Sequence, residues 1–237
     1  MGRAYEVRKA SIQKTGAAKA KLYSMYAKEI YQTAKLGGTS VEGNPSLKRL
    51  IEKARSEQVP GDIIKRAIDK VNSGVDESYQ SASYELFGPS GSNLIVECLT
   101  DNVNRSVSSL RAALNKTGIK MGAQGSVSYM YDHLCIVSFG GLTEEEVLNA
   151  LIENDIDIVD IEVEDNITLY GNPQDLFKIK DTITKLNPNV TFDMDEISML
   201  PKDRVTLEGD DLADFTKLLN LLDEIEDVQK VYHNVSL

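Results

Sequence analysis

LCIVSFGGLTEEEVLNALIENDIDIVDIEVEDNITLYGNPQDLFKIKDTITKLNPNVTFDM, residues 134–194, decides the fold. Leu134–Phe139 is a short apolar run of strand length, and Gly140-Gly141 ends it. Thr143 followed by Glu146 is a capping-box signature and predicts a helix over 144–153. Ile158–Val163 and Ile167–Tyr170 alternate apolar with polar residues and can pair as a hairpin around Glu164–Asn166. Asn172-Pro173 then opens a helix to about Leu186, and Val190–Met194 returns as a strand. The order β-α-β-β-α-β is the ferredoxin-like signature.

Outward from this segment the same units recur in halves. Leu94–Leu99, a helix over Asn104–Asn115 and Val127–Tyr131 read as β-α-β. Arg204–Leu207, a helix over Leu212–Ile225 and Val228–His233 read as β-α-β again. Three consecutive small domains would leave each half needing a core of its own, so the two are expected instead to join around the segment between them. In the second half Leu212, Phe215, Leu218, Leu219, Leu222 and Ile225 form a sheet-covering stripe. A looser stripe, Phe177, Ile179, Ile183 and Leu186, belongs to the inserted segment.

Residues 1–75 read as helical after a basic arm. A helix from about Ala17 to Lys35 places Leu22, Tyr23, Tyr26, Ala27, Ile30 and Ala34 on one face. Asn44 caps a second helix with Pro45 at its first position, and its buried stripe is Leu47, Leu50, Ile51 and Ala54. A third starts near Pro60 and carries Ile63, Ile64, Ala67, Ile68 and Val71. Residues 73–83 read as a linker, with Tyr84–Phe87 as an extra strand before Gly88-Pro89. The expected fold is therefore α+β: an N-terminal helical domain (1–75) and two ferredoxin-like α/β domains, one (132–196) inserted into the other (76–131 with 197–237).

Charge is sorted along the 237 residues. The formal net charge is -11, yet residues 1–75 carry +8, residues 76–237 carry -19 and residues 132–196 alone carry -13. A basic module beside an acidic one points to a polyanionic partner. The candidate phosphate contacts are Arg3, Arg8, Lys9, Lys14, Lys19, Lys21, Lys28 and Lys35. Lys21, Lys28 and Lys35 recur every seven residues along one helix side. Lys48, Arg49, Lys53, Arg55, Lys65 and Arg66 extend the set, and Arg105 and Arg111 add two cations on the helix that Asp101 or Asn102 caps. No helix-turn-helix pattern predicts base readout. Tyr5, Tyr23, Tyr26 and Tyr31 could stack on bases, although Tyr23 and Tyr26 fall on the apolar helix face.

Catalytic signals are weak. His133 and His233 begin no metal motif, no G-x-S-x-G frames a serine, and Gly88-Pro-Ser-Gly-Ser lacks the Lys of a phosphate-binding loop. The chain is read as no enzyme, with no cofactor and no metal. Cys98 and Cys135 fall in strands as small buried thiols, which suits a reducing cytoplasm. No run reaches the roughly 18 apolar residues of a membrane span.

YELFGPSG (84–91), VECLTDNVNRSVSSLRAALNKTG (96–118), GAQGSVSYMY (122–131) and VYHN (231–234) resemble the YebC-type, PmpR-like family of bacterial regulators. KEI…AKLGG…NPSLKRLIEKAR and VPGDIIKRAIDK fit it too, so the likeness spans nearly the whole chain. The opening GRAYEVRKASIQKTG departs from that family's GHSKW-like start. The resemblance implies a helical domain, two α/β domains and a cytoplasmic DNA-binding transcriptional regulator. As a second reading it is similar to translational activators and ribosome-associated factors, whose partners would be ribosomal RNA and ribosomal proteins. A third reading is a protein-interaction scaffold using the acidic insert. Residue chemistry leaves DNA, RNA and oligomeric state open.

Overall fold

The computed structural model describes residues 17–74 and 77–237, and the chain forms N-terminal helices followed by two four-stranded antiparallel sheets. Its described residues divide into two compact units. Met130–Asp203 form one; the residues before Met130 and Arg204–Leu237 form the other.

In the second of these, α1 (Ala17–Gly37), α2 (Pro45–Ser56) and α3 (Gly61–Asn72) build a bundle. The bundle has its own apolar cluster, including Tyr26, Ile30, Ala34, Leu47, Ile51, Ala54, Ile64 and Ala67. Short helices such as α2 and α3 gain most of their stability from this packing. Asn44 caps α2 as its sequence position predicts: Leu47 N donates to Asn44 Oδ1 at 3.1 Å. Its amide also ties back to the end of α1, donating to Thr33 O at 3.1 Å and Gly38 O at 2.9 Å.

The sheet of this unit contains β1 (Gln80–Phe87), β2 (Asn93–Thr100), β3 (Lys120–Met121) and β8 (Val228–His233), in the order β3-β1-β2-β8. α4 (Val103–Asn115) and α7 (Gly209–Asp223) supply its core, with Leu110, Leu114, Phe215, Leu218 and Leu222 packed against Leu86, Leu94, Val96 and Cys98. Two expectations are corrected here. Val127–Tyr131 do not form the expected strand: Val127 is buried, Ser128–Met130 make a 3₁₀ turn, Tyr131 opens a strand of the other unit, and the pairing falls to Lys120–Met121. Arg204–Leu207 makes a single parallel bridge, Val205 to Val235. The place of Arg204–Leu207 in the sheet is filled by β1, whose eight residues begin at Gln80, within the last four residues of the predicted linker, and pair along all of β2. Serines at 81 and 83 alternate with Ala82 and Tyr84, a pattern too polar to stand out from a loop.

The other unit runs β4 (Tyr131–Phe139), α5 (Glu144–Glu153), β5 (Ile158–Val163), β6 (Ile167–Gly171), α6 (Leu176–Leu186) and β7 (Phe192–Pro201). Its sheet order is β5-β6-β4-β7, and β4 pairs β7 from Tyr131↔Pro201 to Phe139↔Phe192. β7 therefore extends seven residues past Met194, where its predicted end lay. The Thr143/Glu146 capping box forms, with both reciprocal bonds present. A 3₁₀ turn at Pro173–Asp175 precedes α6, which shifts the buried stripe to Leu176, Ile179 and Ile183; Phe177 and Leu186 are exposed. Leu134, Ile136, Tyr170, Met194 and Leu200 make a second buried cluster in the same sheet.

Candidate nucleic-acid interface

The predicted cations separate into distinct groups. Arg3, Arg8, Lys9 and Lys14, with Tyr5, lie outside the described residues. The heptad lysines of α1, read from sequence as a phosphate-tracking side, face protein instead. Lys21 Nζ donates to Asp223 O at 2.6 Å and lies 3.4 Å from Asp223 Oδ1. An ammonium at the C-terminus of α7 satisfies an open carbonyl and complements the helix dipole. Lys28 is buried and pairs with Asp227 Oδ1 at 3.2 Å and Glu226 Oε1 at 3.3 Å. Lys35 donates to Glu77 O at 3.1 Å and lies over the Tyr31 ring. Tyr31 is buried and its hydroxyl accepts from Glu77 N, so Tyr23, Tyr26 and Tyr31 all serve packing rather than base stacking.

Arg105 joins the same network. Its guanidinium donates Nε and Nη2 to Asp227 at 2.9–3.2 Å and reaches Asp101 at 2.6 Å. Ser106 Oγ donates to Asp227 Oδ2 at 2.9 Å. Burial by itself would raise the Asp227 pKa; hydrogen bonds from Arg105, Ser106, Lys28 and Thr100 outweigh it and hold the carboxyl below its usual range. Asn102, not Asp101, caps α4 by accepting from Arg105 N at 3.1 Å. The charge on Asp101 goes to the Arg105 side chain instead.

The cations of α2 and α3 are differently placed. Arg49 and Lys53 are half-buried near Glu29, whose pKa burial raises even against the fields of Lys230, Lys53 and Arg49. Lys48, Arg55, Lys65 and Arg66 are exposed. Lys48, Arg55 and Lys65 line one cleft between α2 and α3, whose floor is Ile51, Ile64 and Ile68 and whose rim includes Glu42, Glu52 and Asp69. Lys19 on α1 and Arg111 on α4 are also exposed.

Two structural residues escaped the sequence reading. Glu85 is buried on β1, and its carboxylate accepts from Gly125 N at 2.7 Å, from Ser128 N at 3.0 Å and from Val127 N. Burial pushes its pKa up, but these backbone donors reverse the shift and leave it lowered. The 122–128 loop is further held by close packing: a Cβ at Gly122 would meet Phe87 at 2.8 Å, and Gly125 has φ +84°. Asn234 accepts from Asn93 N at 2.9 Å and donates to Gly91 O at 3.1 Å. An acid inside an alternating strand and an Asn after one carry no distinctive pattern, so only the partners reveal these roles.

The remaining candidates are structural or exposed. Cys98 and Cys135 are free and buried, and burial pushes the Cys98 thiol up to about 12. His133 is exposed on β4, while His233 stacks edge-on against Phe215 at 5.4 Å. Among the described residues no group of three or more His, Cys, Asp or Glu could hold a metal ion, and no helix is long and apolar enough to cross a membrane.

The fold and these side chains define a class: an α+β protein with a cation-bearing helical bundle and two antiparallel sheets. The chain belongs to the TACO1/YebC family. Residues 3–74 match the model of the TACO1/YebC N-terminal domain, and residues 79–235 match that of the second and third domains. A protein of Vibrio parahaemolyticus described as a probable transcriptional regulatory protein is 46% identical, with 100% of both chains covered. A similarly described protein of Marinobacter nauticus is 47% identical over 100% of this chain and 99% of its own. The crystal structure of a conserved hypothetical protein from Aquifex aeolicus superposes with a TM-score of 0.75 at 32% identity, covering 94% of this chain and 92% of that one.

Proposed function

We propose that this chain is a noncatalytic, DNA-binding transcriptional regulatory protein of the cytoplasm, contacting phosphates through its helical module. The observation that carries the reading is the exposed quartet Lys48, Arg55, Lys65 and Arg66 on α2 and α3. Long cations on adjoining helices can replace the counterions of a polyanion. The cations Arg3, Arg8, Lys9 and Lys14 extend the same charge along the sequence. Lys19 and Arg111 are accessible for further contacts, whereas Lys21, Lys28, Lys35 and Arg105 act inside the protein. The descriptions of the Vibrio and Marinobacter relatives favour transcription as the setting.

Three modules serve this reading: residues 1–75 for phosphate contact, 76–131 with 197–237 as a ferredoxin-like unit, and 132–196 as an acidic ferredoxin-like insert. The β-α-β-β-α-β order from β4 to β7 and its β5-β6-β4-β7 sheet support the insert. In the other sheet β1 lies between β2 and β3, the two ends of a β-α-β crossover, and β8 lies beside β2. That order supports the reading of a ferredoxin-like sheet with one strand moved to the front of the chain.

The test is a salt titration of the full chain against duplex DNA and against RNA of equal length. Replacing Lys48, Arg55, Lys65 and Arg66 by Gln is expected to weaken DNA binding and to flatten the dependence of log K on log salt by about 0.9 per lost phosphate contact. Unchanged affinity and slope in the variant reject the quartet as the interface. Preferential RNA binding moves the reading to ribosomal RNA.

A further inference from the structure

We propose that the acidic turn Asp223–Asp227 is an internal competitor for nucleic acid, masking cations of α1 until a polyanion displaces it. The inference rests on the phosphate-contact reading above. DEIED places four carboxylates within five residues where α7 gives way to β8. Three of them meet α1. Asp223 faces Lys21, Glu226 accepts from Ser24 at 3.1 Å and lies 3.3 Å from Lys28, and Asp227 holds Lys28 and Arg105.

These contacts have the chemistry of a phosphate clamp, with carboxylate oxygens in the place of phosphate oxygens. They are also asymmetric in exposure. The lysine side chains are 15% and 10% exposed, while Asp223 and Glu226 are 59% and 70% exposed. The acids thus cover the cations from the solvent side.

Release is physically reasonable because the helical bundle has a complete apolar cluster of its own. That cluster and the one beneath α4 and α7 share no residue. Lifting Asp223 and Glu226 off α1 therefore exchanges their ion pairs and hydrogen bonds for equivalent contacts with a polyanion, leaving both cores and the buried Lys28–Asp227 pair intact. Each of these two pairs has an exposed carboxylate, which keeps the net cost of the exchange small. Asp227, buried and fourfold bonded, is the pivot, and Asp223 and Glu226 are the removable cover.

The experiment compares the full chain with D223N/E226Q and with D210N/D214N. The control removes two exposed charges at the far end of α7 and matches the change in net charge. Affinity for a short duplex DNA is read by fluorescence anisotropy at fixed salt. The distance between spin labels at Ser46 on α2 and Asn220 on α7 is read by pulsed electron resonance. Expected are a roughly tenfold gain for D223N/E226Q, a gain under threefold for the control, and a longer label distance when DNA binds. Equal gains in both variants, no gain in D223N/E226Q, or an unchanged distance on binding overturns the masking. If no form of the protein binds DNA, the phosphate-contact reading falls and takes the masking with it.

Discussion

Replacing Asp227 by Asn removes the charge that holds α1, α4 and the start of β8 together. In the native protein this carboxylate receives Lys28 at 3.2 Å, two guanidinium nitrogens of Arg105 and the Ser106 hydroxyl, and it is only 3% exposed. Breaking one side of a buried pair costs about 3–5 kcal/mol, because the abandoned charge stays buried. The charge left behind is Lys28, at 10% side-chain exposure, which keeps only the solvent-exposed Glu226 at 3.3 Å as a counterion; Arg105, at 50%, keeps water and Asp101 and adds little. An Asn carbonyl still accepts from Ser106, so a loss of about 3 kcal/mol is expected, the lower end of that range. Urea denaturation followed by circular dichroism measures it. K28M/D227N, which removes both charges, should regain most of the loss, since a neutral pair needs no counterion. A D227N loss below about 1 kcal/mol, or a double variant no better than the single, would refute a charge-centred role. The pH dependence has a defined sign. Asp227 titrates lower in the folded protein, so its contribution is present above the ordinary carboxylate pKa of about 4. It is lost as pH falls from there through the lowered folded value. Stability below about pH 4 should therefore decline less steeply in D227N.

Phe215→Ala empties the middle of the α7 stripe, where the ring is fully buried, and should cost about 3–5 kcal/mol by calorimetry. Glu85→Gln leaves one carbonyl oxygen to serve Gly125, Val127 and Ser128; faster hydrogen exchange at these three amides is the expected result. Asn44→Ala removes the cap of α2 and its ties to Thr33 and Gly38, and should lower stability by about 1–2 kcal/mol in the same denaturation assay.

Local signals account for much of the architecture. Asn44-Pro45, the Thr143/Glu146 box and the Leu212–Ile225 periodicity each state a choice that neighbouring residues alone can enforce. Their positions in the structure follow accordingly. Val127–Tyr131 and Arg204–Leu207 went the other way, because strand formation requires a partner edge. β1 occupies the edge of β2 that a ferredoxin-like reading had left for Arg204–Leu207, and Lys120–Met121 pair with β1 where Val127–Tyr131 were expected. The candidate site shows the same division. The sorting of positive charge toward residues 1–75 is legible in the residues themselves. Which lysines remain available for phosphate is not, since Lys21, Lys28 and Lys35 have the regular spacing of a surface stripe.

The sequence by itself determined the helix boundaries set by caps, the apolar stripes and the charge segregation, because all three depend on residues within a few turns of one another. Only tertiary structure decided that Asp227 would meet Lys28 and Arg105 across 199 and 122 positions of chain. It also decided that Glu85 would hold a loop forty residues away. A cation is a phosphate ligand or half of an internal pair according to what stands opposite it, and the backbone's long-range path sets that neighbour.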